Sequence, residues 1–495
     1  MPIFYSTLLL TAVNLLLRFT GTAFQVWISG RIGAEGVGLL QLVLSVGAFA
    51  MVAGTAGIRT AAMYLTAGES PRKAGGVLSG CFLYSILCSG FTAGLLFLTS
   101  PVLAKNWIGT AEAVDALRLM AGFLPCMCLC GTLSGYFTAR NRIGALAAVE
   151  VLEQLVSISV TLALLKLWAG QTLSKIFLAV TGGSCAGALT TLICLLILRL
   201  REKADAVCPS ARRVAETALP LAAGDLLRSG ISTTENLMVP RRLAHAPGVD
   251  RPLAQFGMLG GMVFPILMFP ASILYSLGEL LIPELARCHA AGSRVRIRYL
   301  VGKSLRITFL YGIFSCTLLW LLAEPLCLRF YGSAQAGRML RCFAPLIPML
   351  YCDAIVDAMT KGLGQQRLCV RYNILTGALD VVFLFFLLPI FGINGYFFSF
   401  LVTHLLNFLL SIRRLLKITG LSISLSRPIL ASAAMLISLG GSGLLPFWLQ
   451  VPGCLAMLGS LLTLAGILGS EDLRWLRGLI QKRRPAEAGR PKKAD

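Results

Sequence analysis

The chain has 495 residues, of which 56% are hydrophobic and only 13% charged, with a formal net charge of +22. Soluble proteins carry about 25% charged residues, and here apolar runs recur from residue 4 to residue 468, which leaves no room for a large soluble domain. The composition excludes a water-soluble enzyme and describes an all-α polytopic membrane protein.

Fourteen stretches are near or above the ~20 residues needed to cross a hydrocarbon core. They lie at about 4–29, 36–66, 77–99, 113–138, 144–168, 172–198, 214–239, 255–283, 304–323, 342–360, 372–390, 393–411, 428–446 and 452–470. The first has no basic residue ahead of it and runs on past Arg18, so it reads as a retained helix rather than a cleaved signal. In the eighth, Pro265 and Pro270 predict a kink, and Gly257, Gly260 and Gly261 predict close approach of a neighbouring backbone.

The seventh stretch is unusual. From Pro220 to Arg242 it is long enough to span, yet it carries Asp225, Arg228, Ser229, Ser232, Thr233, Glu235 and Asn236. Relative to Asp225, five of these fall at +3, +4, +7, +10 and +11, one face of a 3.6-residue helix. A charge at mid-membrane costs ~2.5–3.5 kcal/mol on insertion scales. The stripe therefore points to a protein-lined or water-filled cavity, with a buried Arg228–Glu235 or Asp225–Arg228 pair locking helices together as the plainer reading. The first stretch carries a similar stripe: Asn14, Arg18, Thr22, Gln25 and Ser29. At an offset of 210 residues Arg18 falls on Arg228, Thr22 on Ser232, Gln25 on Glu235 and Arg31 on Arg241. These coincidences suggest an internal duplication in which two lobes each contribute one polar helix to a shared cavity.

Arg18, Arg59 and Arg228 lie within spans, and guanidinium groups bind phosphate bidentately at any physiological pH. Glu235 and Asp225 are candidates to hold these arginines when the cavity is empty. Arg306, near the end of its span, is expected to snorkel. Asp353 and Asp357 are four apart and share a helix face. They form either a proton or cation site or helix-end pairs with Lys361 or Arg367.

Most of the 44 lysines and arginines fall in the connections after even-numbered spans and in the C-terminal tail. That bias places both termini in the cytoplasm. The tail, with Lys482, Arg483, Arg484, Arg490, Lys492 and Lys493, is expected to lie on the anionic membrane surface or to be unstructured.

Catalytic and metal motifs are missing. The fifteen cysteines are scattered, Cys126, Cys128 and Cys130 do not share a helix face, and three distant histidines form no motif. Gly302-Lys303-Ser304 resembles the end of a phosphate-binding loop, but Ile297 stands where its first glycine belongs. Transport would then be secondary, with no cofactor beyond a coupling cation, H+ or Na+, and no nucleic-acid partner.

Three stretches carry a resemblance. They are Gly30-Arg31-Ile32-Gly33 with Ala34-Glu35-Gly36-Val37-Gly38-Leu39-Leu40-Gln41; Ser134-Gly135-Tyr136-Phe137-Thr138-Ala139-Arg140-Asn141 running on to Val151-Leu152-Glu153-Gln154; and Lys361-Gly362-Leu363-Gly364-Gln365-Gln366 running on to Leu388-Pro389-Ile390-Phe391-Gly392-Ile393-Asn394-Gly395. They resemble the lipid-linked oligosaccharide flippases of the multidrug/oligosaccharidyl-lipid/polysaccharide superfamily. The branch they resemble is that of stage V sporulation protein B, related to the lipid II flippases of cell-wall synthesis.

The resemblance implies two pseudo-symmetric six-helix lobes, residues 1–202 and 203–420, then two additional helices at 421–470 and a basic tail at 471–495. It also implies a bacterial cytoplasmic membrane protein that is not an enzyme. Its cationic cavity would receive an undecaprenyl-pyrophosphate-linked sugar, such as a peptidoglycan or spore-cortex precursor, by alternating access. Membrane lipids and cell-wall synthesis proteins would be its partners. The expected cavity residues are Arg18, Gln25, Arg59, Asp225, Arg228, Glu235 and Asn236, with Asp353 and Asp357 for ion coupling. Gln25 departs from relatives that often carry arginine at that position. The alternatives are a cation-coupled exporter of the multidrug and toxin extrusion type, for which an acidic cavity would be expected, and a membrane-embedded ligase of polysaccharide assembly, for which the catalytic groups and a large loop are missing.

Overall fold

The computed structural model describes residues 2–67, 71–140, 142–168, 172–201, 211–422, 424 and 426–467. The basic tail and the 202–210 connection lie outside the described residues. The described chain is helical throughout, in fourteen segments. These are α1 (2–32), α2 (34–67), α3 (71–108), α4 (111–139), α5 (Ile143–Leu167), α6 (Leu173–Leu200), α7 (Ala211–Leu243), α8 (252–290), α9 (Arg294–Tyr331), α10 (334–362), α11 (Gln366–Phe391), α12 (Ile393–Thr419), α13 (Ser426–Ser442) and α14 (Phe447–Leu464). Nine described helices are long and apolar enough to span by themselves, or ten with the bent α8. The strict count falls short for three reasons. α1 and α2 run on as one helix, the polar stripe of α7 lowers its hydropathy, and α13 and α14 are short.

Gly33 separates α1 from α2 with φ 68°, a left-handed value that glycine adopts without a Cβ penalty. The predicted kink in α8 is present: its halves, Pro252–Met268 and Ala271–Ala290, meet at 61°. Pro270 sits at that break, where it lacks the N–H that would continue the ladder.

Helices α8, α9, α10 and α12–α14 share one apolar core, built around Leu267, Ile313, Leu340, Ile347 and Val356. Residues from α2, α3, α4 and α6 pack in a second that also takes in Leu237 and Leu243 of α7 and Leu384 and Leu388 of α11. The far end of α7 packs Val214, Ala218 and Ala222 against Ile58, Ala61 and Ala62 of α2. α7 thus packs in two apolar clusters along its length.

The beginning of α2 meets the beginning of α8 nearly backbone to backbone. A Cβ placed on Gly257 would sit 1.9 Å from the Ala34 carbonyl oxygen, and one on Gly38 would sit 2.5 Å from the Leu253 oxygen. Gly260 and Gly261 lie equally close to Gln41 and Val37. The close approach expected of Gly257, Gly260 and Gly261 is made to α2.

Candidate functional site

The stripe on α7 divides into two environments. Asp225, Arg228 and Ser232 are exposed, whereas Glu235 and Asn236 are half-buried. Among the described residues, no ion pair joins Arg228 to Asp225 or to Glu235. The plainer reading of a locking pair is therefore not realised.

Glu235 instead meets Asp380 of α11 in side-chain hydrogen-bond contact. This corrects the expectation that it holds the cavity arginines. Two turns beyond Arg228, the face of α7 is covered by α11, and the carboxyl is turned into that contact. Asp380 is 5% exposed. Its Oδ1 accepts from Ser399 Oγ at 2.6 Å and from Thr403 Oγ1 at 3.1 Å, both on α12. Two carboxyls in contact repel unless a proton or cation lies between them. Next to Glu235, Asn236 Nδ2 donates to Ser45 Oγ of α2 at 3.0 Å, and Thr233 Oγ1 donates to the Ser45 carbonyl at 3.3 Å. Three neighbouring residues thus tie α7 to α11 on one side and to α2 on the other.

Arg18 is exposed on α1, with its guanidinium 4.5 Å from the ring centre of Tyr275 on α8. One residue on, the rings of Phe19 and Phe269 lie 6.0 Å apart. Both contacts join α1 to α8. Gln25 is half-buried on α1, where its carbonyl accepts from Ser29 Oγ at 2.7 Å. Gln154 of α5 donates to the Leu17 carbonyl at 3.0 Å, and Thr191 of α6 donates to Glu153 at 2.8 Å.

Arg59 is exposed and lies within electrostatic reach of Glu150 on α5, which also faces Glu153 and Glu279. Its charge was expected to add to that of Arg18 and Arg228. It lies near the Glu150 carboxylate, so the polar surface here is mixed in sign.

Asp357 pairs with Lys361 at 2.6 Å, as the helix-end alternative anticipated. Asp353 is treated differently. Asn407 Nδ2 of α12 donates to both of its oxygens, at 3.3 and 3.1 Å. Arg306 is half-buried and donates to the Ile467 carbonyl at 2.6 Å, just beyond α14.

A cleft of ≈ 470 Å³ opens between α2, α7 and α11, lined by Phe49, Leu226, Leu227, Gly230, Ile231 and Val381, among others. It is apolar and begins beside Arg228. Among the described residues no group of histidines, cysteines and carboxylates is arranged to hold a metal.

The pattern on α12 was missed. Ser399, Thr403, Asn407 and Ser411 stand four apart and all are buried. The same i, i+4 test that singled out α7 would have found them. Tyr275 and Ser45 gave no sequence signal, because their partners lie far away in the chain.

Comparison with known proteins agrees with this architecture. Residues 4–239 match the family model described as polysaccharide biosynthesis protein. The chain is 26% identical over 452 residues to stage V sporulation protein B of Bacillus subtilis (strain 168), covering 87% of each chain. A solved structure of the lipid II flippase MurJ in an inward closed conformation superposes with a TM-score of 0.71 at 12% identity, covering 92% of this chain and 98% of that one. A multidrug resistance transporter of the MATE family, of the MOP superfamily, in an inward-facing conformation gives 0.66 at 13% identity, covering 84% and 100%.

Proposed function

We propose that this chain, which has the fold of the MOP-superfamily transporters and resembles the polysaccharide biosynthesis family, is a flippase for an undecaprenyl-pyrophosphate-linked oligosaccharide. The resemblance and the fold match are to transporters rather than enzymes. The observation that carries the reading is the state of two arginines. Arg18 and Arg228, on α1 and α7, are exposed inside spans and have no ion pair among the described residues. An uncompensated guanidinium at that depth needs water or an anionic ligand, and pyrophosphate matches its paired donors.

In this reading the headgroup enters between the two halves, and the isoprenoid stays in the bilayer alongside the apolar cleft beside Arg228. Gln25 and Asn236 contribute hydrogen bonds, while Asp225, together with Glu150 near Arg59, limits the net positive charge. The close contact between α2 and α8 seals one end. The basic bias places that end outward and both termini in the bacterial cytoplasm. The Glu235–Asp380 pair supplies the coupling proton, since it is the carboxyl contact that joins α7 to its neighbours.

The experiment is binding of purified protein to an undecaprenyl-pyrophosphate-linked sugar in detergent, read by native mass spectrometry. Wild type binds, and Arg18→Ala/Arg228→Ala loses binding with unchanged thermal stability. Well-folded wild type that ignores this lipid but binds cationic drugs would sink the proposal and favour the multidrug exporter whose fold it shares.

A further inference from the structure

The outer end of α7 carries two adjacent arginines, on the side that the basic bias leaves poor in cations. Arg241 is exposed, with its guanidinium 4.9 Å from the ring centre of Trp107 on α3. Arg242 is half-buried, with its guanidinium 3.3 Å from the ring centre of Phe385 on α11. Both rings are themselves exposed, at 45% and 42%, as befits aromatic side chains at a membrane–water interface. A ring attracts the charge of a guanidinium, but the N–H groups still require an acceptor. Among the described residues neither arginine has a side-chain hydrogen bond to the protein or an ion pair. Arg341 is the contrast. It lies 5.1 Å from the ring centre of Trp320, and Glu324 meets it at 3.3 Å.

This end of α7 stands over the apolar cleft. Arg241 comes seven residues after Thr234 and fourteen after Leu227, which both line the cleft, so the three share one helical face. Phe385, beside Arg242, is one turn beyond the lining residue Val381 on α11. Helical side chains lean towards the helix N-terminus, so both guanidinium groups are carried back towards the cleft. From Arg241 to Leu227 the rise is about 21 Å, close to half of a bilayer's ~40–45 Å with its headgroups. Arginines and cleft together therefore reach from one headgroup region to about the midplane. The cleft's ≈ 470 Å³ holds a single chain of about 16 carbons, at ~30 Å³ for each water-sized methylene. Gly230 gives it its floor, since a Cβ there would lie 3.6 Å from Phe49. Leu227, 57% exposed, leaves it open to the bilayer.

We infer that this is a second lipid site, at which the isoprenoid pyrophosphate docks in its outer-leaflet orientation. Its pyrophosphate lies on Arg241 and Arg242, and the first part of its tail lies in the cleft. This rests on the flippase reading and its orientation, and adds a delivery site to them. Two features favour this ligand over a bulk phospholipid. The cleft admits one chain, and a phospholipid carries two. Two guanidinium groups match a diphosphate, whereas a phosphodiester offers a single charge. Arg228 stands fourteen residues before Arg242, a rise of about 21 Å along nearly the same line of α7. Cargo held at Arg228 is thus received at Arg241 and Arg242 on the other side, and one helix carries both positions.

The test is photo-crosslinking of the chain in vesicles, because detergent would fill a cleft that is open to the bilayer. p-Benzoylphenylalanine replaces Leu227, undecaprenyl pyrophosphate is added, and adducts are identified by mass spectrometry. The parent protein yields the undecaprenyl pyrophosphate adduct. Arg241→Gln/Arg242→Gln lowers that yield about tenfold, the loss of charge-assisted hydrogen bonds, while Arg241→Lys/Arg242→Lys, which keeps the charge, retains most of it. Undecaprenol, which lacks the pyrophosphate, labels about tenfold less. Arg18→Ala/Arg228→Ala leaves the yield unchanged. Full yield in folded Arg241→Gln/Arg242→Gln, or equal yield from undecaprenol, overturns the site. An adduct of vesicle phospholipid in place of the added lipid overturns the choice of ligand. A protein that binds the sugar-linked lipid in detergent but gives no adduct here refutes this site alone, whereas failure of both refutes the flippase reading.

Discussion

Replacing Gly257 by alanine tests whether the α2–α8 contact is a seal. The new Cβ would lie 1.9 Å from the Ala34 oxygen and 2.6 Å from the Gly38 nitrogen. Ordinary contact begins near 3.4 Å, so the helices must separate by about 1.5 Å, the difference between 3.4 and 1.9. The obstructing atoms are backbone, so no rotamer change relieves them. Overpacking of this kind costs ~1–3 kcal/mol. Levied only on the closed arrangement, it shifts the open-to-closed ratio about 5–150-fold. Gly38→Ala, 2.5 Å from Leu253 oxygen, should have a smaller effect in the same direction. The assay is pulsed electron–electron resonance between non-cysteine spin labels at Glu112 and Gln335, exposed positions at the sealed end of each half. A longer-distance population must grow in the order wild type, Gly38→Ala, Gly257→Ala. Identical distance distributions in all three, or loss of thermal stability with no change in distance, would refute the reasoning.

Other outcomes follow from individual contacts. Ser45→Ala leaves Asn236 Nδ2 without its acceptor and should lower stability by ~1–3 kcal/mol, read by thermal unfolding; Ser45→Thr should retain most of it. The Asp357–Lys361 pair is only about one-third exposed, so a double-mutant cycle with Asp357→Asn and Lys361→Met should give a coupling of ~1 kcal/mol, and zero coupling would reduce it to a crystal-like coincidence of side chains. Leu227→Trp in the apolar cleft should crowd out a lipid chain and weaken binding of the full-length isoprenoid pyrophosphate more than that of a short-chain analogue; equal weakening would detach the cleft from the tail. A cysteine at Ala291, in the α8–α9 connection, should resist an impermeant thiol reagent applied from outside intact cells when reactive native thiols are removed, and labelling from outside would reverse the assigned orientation.

The spans were legible because their cause is local. A helix must satisfy its own backbone in lipid, so length and hydropathy suffice to find it. Pro270 and the glycines of α8 were legible for the same reason, since a missing N–H and a missing Cβ act wherever they occur. The strip on α7 announced polarity but not its use. Asp225, Arg228, Glu235 and Asn236 share one helical face, yet the first two are exposed while the last two turn into α11 and α2. Period alone cannot separate them, because what lies opposite a face is set by helices far along the chain. Asp353 and Asp357 show the same limit. Four residues apart on one helix, one takes Lys361 from its own helix and the other an amide from α12.

By itself, then, the sequence determined an all-α membrane protein, the kink at Pro270 and the residues whose charge demands a partner or water. Only the tertiary structure decided which partner each one receives. It set Glu235 against Asp380, Arg18 over Tyr275 and Arg59 beside Glu150, and it left Arg228 exposed. The physical reason is one of range: hydrophobic matching and backbone geometry act within a helix, whereas the cost of a buried charge is offset by whichever distant side chain the packing brings within ~4 Å.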